Sequence, residues 1–171
     1  ASTPGVGSRF TVELPLAHAA DAPEQSDATL DERRFDGARI LVVEDNAVNQ
    51  LITRELLERR GAAVEVADNG RIALDRIAAE AFDLVLMDVM MPEMDGLEAT
   101  RRLRAAPEWR RLPVIGLTAN VDRADLAACL AAGMNAHVGK PIEPRELFAR
   151  LAEWLPLHVS LDLRRARERC G

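Results

Sequence analysis

The chain of 171 residues has no tyrosine, and aromatic residues make up only 4% of it. It lacks an apolar run near the roughly 18 residues of a membrane span, and it lacks the charged and apolar segments of a secretory signal. Its two cysteines, Cys129 and Cys170, have neither zinc-site spacing nor the pattern of a disulfide framework. These absences predict a cytoplasmic protein without membrane contact.

Lysine is almost missing as well. Of the 22 basic residues, all but Lys140 are arginine. The formal net charge of -6 argues against nucleic acid as a direct partner. Apolar residues make up 48% of the chain, which is enough for the core of one domain with some additional sequence.

Composition divides the chain into four segments. Near the amino end, Phe10, Val12, Leu14 and Leu16 alternate with polar or small residues, which predicts a strand. An Ala-, Asp- and Glu-rich stretch follows that has too little apolar surface to fold by itself. The predicted segments are an N-terminal strand region at 1–16, a linker at 17–37, a compact domain at 38–155 and a C-terminal tail at 156–171.

Strand and helix patterns alternate five times within the compact domain. Apolar runs lie at residues 38–45, 62–67, 82–88, 112–119 and 135–140. Helical patterns lie at residues 46–60, 70–80, 96–105, 123–132 and 144–154. This alternation predicts an α/β fold with a doubly wound parallel sheet, right-handed crossovers and helices on both faces. Ligands of such sheets bind beyond the carboxyl ends of the strands.

Polar residues collect at those predicted strand ends. The first strand ends in Glu44 and Asp45, the third in Asp88, the fourth in Thr118 and the fifth in Lys140. Acids that share a partly desolvated cleft repel one another, so the arrangement requires a cation. Oxygen ligands select a hard ion, and a site of few carboxylates suits Mg²⁺, with Mn²⁺ as an alternative.

Four short motifs carry a resemblance to a known family. They are VVEDN at 42–46, MDVMMPEMDG at 87–96, GLTAN at 116–120 and KP at 140–141. With these motifs in this order, residues 38–154 resemble the receiver domain of two-component response regulators. The resemblance implies a flavodoxin-like (βα)5 fold with five parallel strands in the order 2-1-3-4-5.

The resemblance also implies a role for each strand-end residue. Asp88 would be the phosphoacceptor, Thr118 would bind a phosphoryl oxygen, and Lys140 would pair with the acyl phosphate. The implied Mg²⁺ ligands are Glu44, Asp45, Asp88 and the backbone carbonyl of Met90. An aspartate is a competent nucleophile toward phosphorus when a metal neutralises the developing charge. The family also implies a cis peptide bond at Lys140-Pro141.

One position departs from the pattern of many receivers. Where those carry Tyr or Phe three residues before the lysine, as a switch that moves with the Thr, this chain has His137. One interpretation is a half-exposed strand histidine with no switching role. The other follows from receivers of hybrid kinases, which often resemble this chain in having His here: their output would depend on docking by a phosphotransfer protein more than on a large aromatic switch. In that case we expect His137 to shift little on phosphorylation, while the loop 89–96 and Thr118 change.

The N-terminal GVGSRFTVELPL resembles the last strand of the ATP-binding domain of sensor histidine kinases. This resemblance implies a hybrid kinase as the parent protein, of which this chain would be a fragment with no kinase activity of its own. Implied partners are the kinase core, in cis or in trans, and a histidine phosphotransfer protein. The receiver itself would catalyse its phosphoryl transfer and dephosphorylation.

Three other functions remain as alternatives. A receiver used only as an interaction module would not need the full set of acids, Thr and Lys. A haloacid-dehalogenase-type phosphatase places a second Asp two residues after the nucleophile, where this chain has Met90. A flavodoxin-like cofactor binder would have a Gly- or Ser/Thr-rich phosphate loop after the first strand, where this chain has acids.

The first helix of the domain carries a wide apolar stripe. Its residues are Val48, Leu51, Ile52, Leu56 and Leu57. A helix that packs on one side needs a narrower stripe, so part of this one is predicted to face a partner such as a four-helix phosphotransfer bundle. A wide core face is the alternative explanation.

Overall fold

The computed structural model describes residues 35–119 and 122–155, together with the main chain of residues 2–3 and 7–8. The latter form two short strands, β1 (Ser2–Thr3) and β2 (Gly7–Ser8), which pair antiparallel. The strand predicted around Phe10, the linker up to residue 34 and the tail from residue 156 lie outside the described residues.

A five-stranded parallel sheet forms the centre of the described domain. Its strands are β3 (Arg39–Val43), β4 (Ala63–Ala67), β5 (Leu84–Asp88), β6 (Val114–Thr118) and β7 (Ala136–Gly139). Their spatial order is β4-β3-β5-β6-β7, and every pairing is parallel. Counted within the domain this order is 2-1-3-4-5, so the predicted fold class is confirmed.

Five helices connect these strands. They are α1 (Ala47–Glu58), α2 (Gly70–Ala79), α3 (Gly96–Ala105), α4 (Arg123–Ala132) and α5 (Pro144–Trp154). Local sequence explains their ends: the side chain of Asn46 caps α1, Gly133 ends α4 in the left-handed region, and Pro144 occupies the first turn of α5. Within the described ranges, none of these helices has the length and hydropathy that a membrane span requires.

The sheet is buried on both faces, because successive side chains of each strand point to opposite sides. On one face, Ile40 and Val42 of β3 pack with Leu57 of α1 and with the apolar side of α5. On the other face, Leu41 and Val43 pack beneath α2, α3 and α4. The continuous apolar runs of the sequence therefore correspond to strands that have a hydrophobic layer on each side.

The packing of the domain begins before the predicted boundary at Ala38. Phe35 is 1% exposed, and its ring centroid lies 6.1 Å from that of Phe148 on α5. Its backbone N–H donates to the carbonyl of Arg60 at 2.7 Å. The composition of residues 17–37 hides this, because a single aromatic residue at the end of a polar stretch does not produce a periodic pattern.

The register of the strands places the polar strand ends side by side. Val43, which precedes Glu44, pairs with Met87, which precedes Asp88. Asp88 pairs with Leu117, and Thr118 pairs with Gly139, which precedes Lys140. Parallel pairing therefore brings residues from four segments of the chain to one edge of the sheet.

Candidate functional site

Lys140 connects the two buried acids at this edge. Its Nζ donates to Oδ2 of Asp88 and to Oε2 of Glu44, each at 2.6 Å. Asp88 is 5% exposed and Glu44 is 2% exposed. Oδ1 of Asp88 accepts the backbone N–H of Met90 at 3.1 Å. These are charge-assisted hydrogen bonds in a partly desolvated place, where such contacts are strong.

The environment shifts the pKa values of both partners. Burial raises the pKa of Asp88, although the hydrogen bonds from Lys140 and from the Met90 N–H oppose that shift. Burial by itself would lower the pKa of Lys140, but the hydrogen bonds to Asp88 and Glu44 outweigh it and the pKa is raised. Lys140 is therefore firmly charged, while Asp88 takes up a proton more readily than a free aspartate.

Three carboxylates converge here. Glu44, Asp45 and Asp88 each offer one oxygen, and these oxygens lie within 4.8 Å of one another. Lys140 contacts two of these acids, so a single ammonium faces three carboxylates. Oxygen ligands with excess negative charge suit a hard divalent cation, so these three residues could hold one. The predicted acid cluster is thus assembled as the strand order requires.

The remaining predicted residues lie around this cluster. Thr118 is buried at the end of β6, and its carbonyl accepts the backbone N–H of Lys140 at 2.7 Å. The Lys140-Pro141 peptide bond is cis, as the resemblance implies. His137 is half-buried in β7 opposite Gly116. Among the hydrogen bonds of the described residues, none joins His137 to the acids.

The loop from Val89 to Asp95 turns back against the end of β5. The N–H of Gly96 donates to the carbonyl of Val89 at 3.1 Å, and Asp95 caps α3 by accepting the N–H of Glu98 at 2.7 Å. A Cβ on Gly96 would lie 2.1 Å from the carbonyl oxygen of Asp88. The Asp-Gly pair of the motif therefore lets the helix begin in direct contact with the strand end.

A contact that the sequence did not reveal ties this loop to α2. Glu93 has a φ of 65°, which is unusual for a residue with a side chain. Its carboxylate accepts a hydrogen bond from Nδ2 of Asn69 at 3.1 Å, and the N–H of Gly70 donates to the carbonyl of Met94 at 3.1 Å. Asn69 also caps α2, so one buried asparagine joins the loop to a helix start.

Two amides in α1 have contacts with Glu44 that the sequence did not reveal. Asn49 donates from Nδ2 to Oε1 of Glu44 at 3.0 Å. Gln50 donates from Nε2 to the backbone carbonyl of Glu44 at 2.6 Å and to Oδ1 of Asp68 at 2.8 Å. The sequence feature that could have predicted these contacts is a pair of amides in the first turns of the helix that follows the acids. Such residues are also common on solvated faces, so the pattern by itself was not decisive.

The apolar stripe of α1 is divided between core and surface. Leu57 is fully buried and Leu56 packs against the core from a partly buried position, whereas Val48, Leu51 and Ile52 are 63%, 58% and 51% exposed. Beside them is a groove of about 220 Å³, lined by Asn49, Ile52, Thr53, Lys140, Pro141 and Ile142. An exposed apolar surface therefore reaches the lysine of the site.

A larger cleft, of about 570 Å³, lies at the opposite edge of the sheet. Asp83 and Pro113, which line it, directly precede β5 and β6. Phe82 and Trp109 supply part of its surface. The amino ends of the strands are far from the converging acids, so we assign the candidate function to the carboxyl edge.

Comparison with known proteins identifies a family. Residues 40–152 match the family described as "Response regulator receiver domain". The sensor histidine kinase GacS of Pseudomonas protegens is 40% identical over 139 residues, which are 80% of this chain and 15% of that protein. The chain therefore spans only a small part of this curated relative.

Solved structures agree with this match. The receiver domain of sensor histidine kinase PA1611 from Pseudomonas aeruginosa, solved with a magnesium ion in its active site cleft, has 41% identity and a TM-score of 0.65, with coverage of 69% of this chain and 97% of that one. A second match is the co-crystal structure of the histidine phosphotransfer protein Ypd1 and the receiver domain of Ssk1 from Saccharomyces cerevisiae. It has 26% identity and a TM-score of 0.66, and the match covers 70% of this chain and 90% of that one.

The raised pKa of Asp88 predicts a stability effect with a definite sign. The folded chain holds this proton more tightly than the unfolded chain, so the charged carboxylate destabilises the fold above its raised pKa. With EDTA present, Asp88→Asn should raise Tm at pH 7 by on the order of a few °C. The difference should disappear near about pH 3, where the unfolded aspartate is also protonated.

Thermal unfolding followed by circular dichroism would measure this difference. Asp75→Asn is the matched control, because that carboxylate is 68% exposed and pairs with the exposed Arg71. An Asp88→Asn variant that is less stable than wild type at pH 7 would contradict the assignment of burial as the dominant effect.

Proposed function

Because this chain belongs to the response regulator receiver domain family, we propose that Asp88 accepts a phosphoryl group from a phosphohistidine and passes it to a histidine phosphotransfer protein. The observation that carries the proposal is the buried carboxylate of Asp88, held by Lys140 beside Glu44 and within reach of Asp45. That arrangement provides a nucleophile, a fixed positive charge and a cluster of hard ligands in one place.

The proposed reaction begins with attack of an Asp88 carboxylate oxygen on the phosphorus of the donor. The bond from phosphorus to the histidine nitrogen breaks, and the acyl phosphate forms on Asp88. Lys140, already 2.6 Å from Oδ2, neutralises charge on the phosphorylated side chain, and the Thr118 hydroxyl binds a phosphoryl oxygen. Transfer onward is the reverse reaction with a second histidine, and attack by water dephosphorylates the domain.

The proposed cofactor is Mg²⁺, with Mn²⁺ as an alternative. Glu44, Asp45, Asp88 and the backbone carbonyl of Met90 would hold the ion, which when bound supplies charge neutralisation for the phosphoryl oxygens. The oxygen donors of this chain suit either ion. The magnesium ion in the PA1611 receiver supports the assignment.

We place this receiver within a hybrid histidine kinase. Residues 1–16 would be the last strand of the ATP-binding domain, the linker predicted at 17–37 would end before the buried Phe35, the receiver would extend to 155 and 156–171 would be a tail. The similarity to a sensor histidine kinase covers 80% of this chain, which is more than the receiver match over residues 40–152. The kinase core, in cis or in trans, is the proposed donor. That this chain by itself has no kinase activity stays a prediction. Its cytoplasmic location and lack of nucleic-acid binding stay predictions.

The proposed docking surface consists of Val48, Leu51 and Ile52 of α1. These side chains are exposed, apolar and adjacent to the groove that leads to Lys140. A partner that delivers a histidine to Asp88 must cover this edge of the sheet, and burial of such side chains drives association. The complex of the Ssk1 receiver with Ypd1 supports a phosphotransfer protein as the partner.

The first experiment tests the phosphoacceptor. Acetyl phosphate and Mg²⁺ should add one phosphoryl group to the intact chain, detected by mass spectrometry, and EDTA should prevent the addition. Asp88→Asn should abolish it, because the amide keeps the shape but not the nucleophile, whereas the surface control Asp75→Asn should be labelled normally. Labelling of Asp88→Asn at the wild-type rate would overturn the assignment of Asp88.

The second experiment tests the docking surface. Leu51→Glu should slow transfer from a phosphohistidine protein to Asp88 by about tenfold, as loss of an interface anchor does, and should leave labelling by acetyl phosphate unchanged. Leu130→Glu is the matched control, since Leu130 is 63% exposed but lies on α4, across the sheet from α1. Equal losses with both donors would indicate misfolding and count against the interface.

The third experiment tests His137. Comparison of the free domain with its beryllofluoride adduct, which mimics the phosphoryl group on Asp88, should show changes in the loop 89–96 and at Thr118. His137 should shift little, because the output of the domain would depend on docking by a phosphotransfer protein and not on an aromatic switch. An inward rotation of His137 coupled to movement of Thr118 would refute this view.

A further inference from the structure

The carboxylate of Glu44 is held on both of its oxygens. Oε2 accepts from Lys140 at 2.6 Å, and Oε1 accepts from Nδ2 of Asn49 at 3.0 Å and more weakly from the backbone N–H of Asn46 at 3.4 Å. The side chain is 2% exposed. Water therefore has little access to Glu44, and its orientation depends on these protein groups.

Asn49 is itself held in place by the start of α1. Its backbone N–H donates to Oδ1 of Asn46, the residue that caps the helix, at 3.3 Å. The side-chain amide then reaches back to the end of β3, five residues earlier in the chain. A rigid first turn and a short side chain leave this amide few alternatives, so it is a preorganised donor toward Oε1.

A neutral donor is the appropriate group at this position. A glutamate has one more rotatable bond than an aspartate, so as a metal ligand it needs more support to keep one orientation. A lysine or arginine in place of Asn49 would neutralise Glu44 and compete with a cation, while an aspartate would repel it. The amide fixes one oxygen and leaves the negative charge of the group available.

We propose that Asn49 is a positioning residue, whose amide holds Oε1 of Glu44 so that Oε2 faces the space shared by Asp88 and Lys140. This inference rests on the proposed function, in which a divalent cation binds between Glu44, Asp45 and Asp88. Asn49 does not touch the reacting atoms. It sets the affinity of the acid cluster for the cation by keeping Glu44 in the orientation that binding requires.

Titration of the full chain with MgCl₂ by isothermal calorimetry tests the proposal. Asn49→Ala should weaken Mg²⁺ binding by about tenfold or more, the usual effect of losing a hydrogen bond to a metal ligand. Gln50→Ala is the matched control, because Gln50 donates to the backbone carbonyl of Glu44 and not to its carboxylate. Its effect should stay within about twofold, and Tm values of all variants would report on folding.

A double-mutant cycle distinguishes positioning from general support of the helix. In a Glu44→Asp background the shortened carboxylate lies beyond the reach of the amide, so Asn49→Ala should then cost less than about twofold. Equal losses in both backgrounds, or an equal loss in Gln50→Ala, would overturn the proposal. Failure of the wild-type chain to bind Mg²⁺ would instead overturn the metal assignment on which it rests.

Discussion

The structure of the site depends on one constraint, which is that two buried acids, Glu44 and Asp88, lie beside the exposed Asp45 and share one ammonium. Lys140 offsets part of the charge of Glu44 and Asp88 by contacting both at 2.6 Å. Without a cation there, the desolvation of each carboxylate would be uncompensated and would favour protonation or unfolding. The single lysine of an otherwise arginine-based chain occupies this position, because a compact ammonium fits between two carboxylates where a planar guanidinium needs more room.

The surrounding backbone is organised to bring these groups together and to hold them. Parallel register places the ends of β3, β5, β6 and β7 in one row. Helix starts then add polar contacts. Asn46, which caps α1, and Asn49 in its first turn contact Glu44, and Asn69, which caps α2, holds Glu93 in the loop after Asp88. The first turns of the helices thus support the strand ends on both sides of the nucleophile.

Helix α1 connects this site to the outside of the molecule. On one side the helix packs Leu57 into the core, and on another it exposes Leu51 and Ile52. Its first turns support Glu44 through Asn49. The groove that separates α1 from Lys140 is lined by residues of both segments. Contact of a partner with α1 would therefore take place beside the groove that reaches Lys140, which suits transfer of a phosphoryl group between side chains.

The sequence by itself determined the alternation of strands and helices, the strand-end positions of Glu44, Asp45, Asp88, Thr118 and Lys140, and several helix ends. These features follow from local patterns, because apolar runs, capping asparagines and glycines act over a few residues. Only the tertiary structure decided which side of α1 is exposed, that Phe35 belongs to the core and that Asn49 and Asn69 hold Glu44 and Glu93. Exposure and hydrogen-bond partners depend on groups far apart in the chain, and no short stretch of sequence specifies which of its polar side chains such groups will meet.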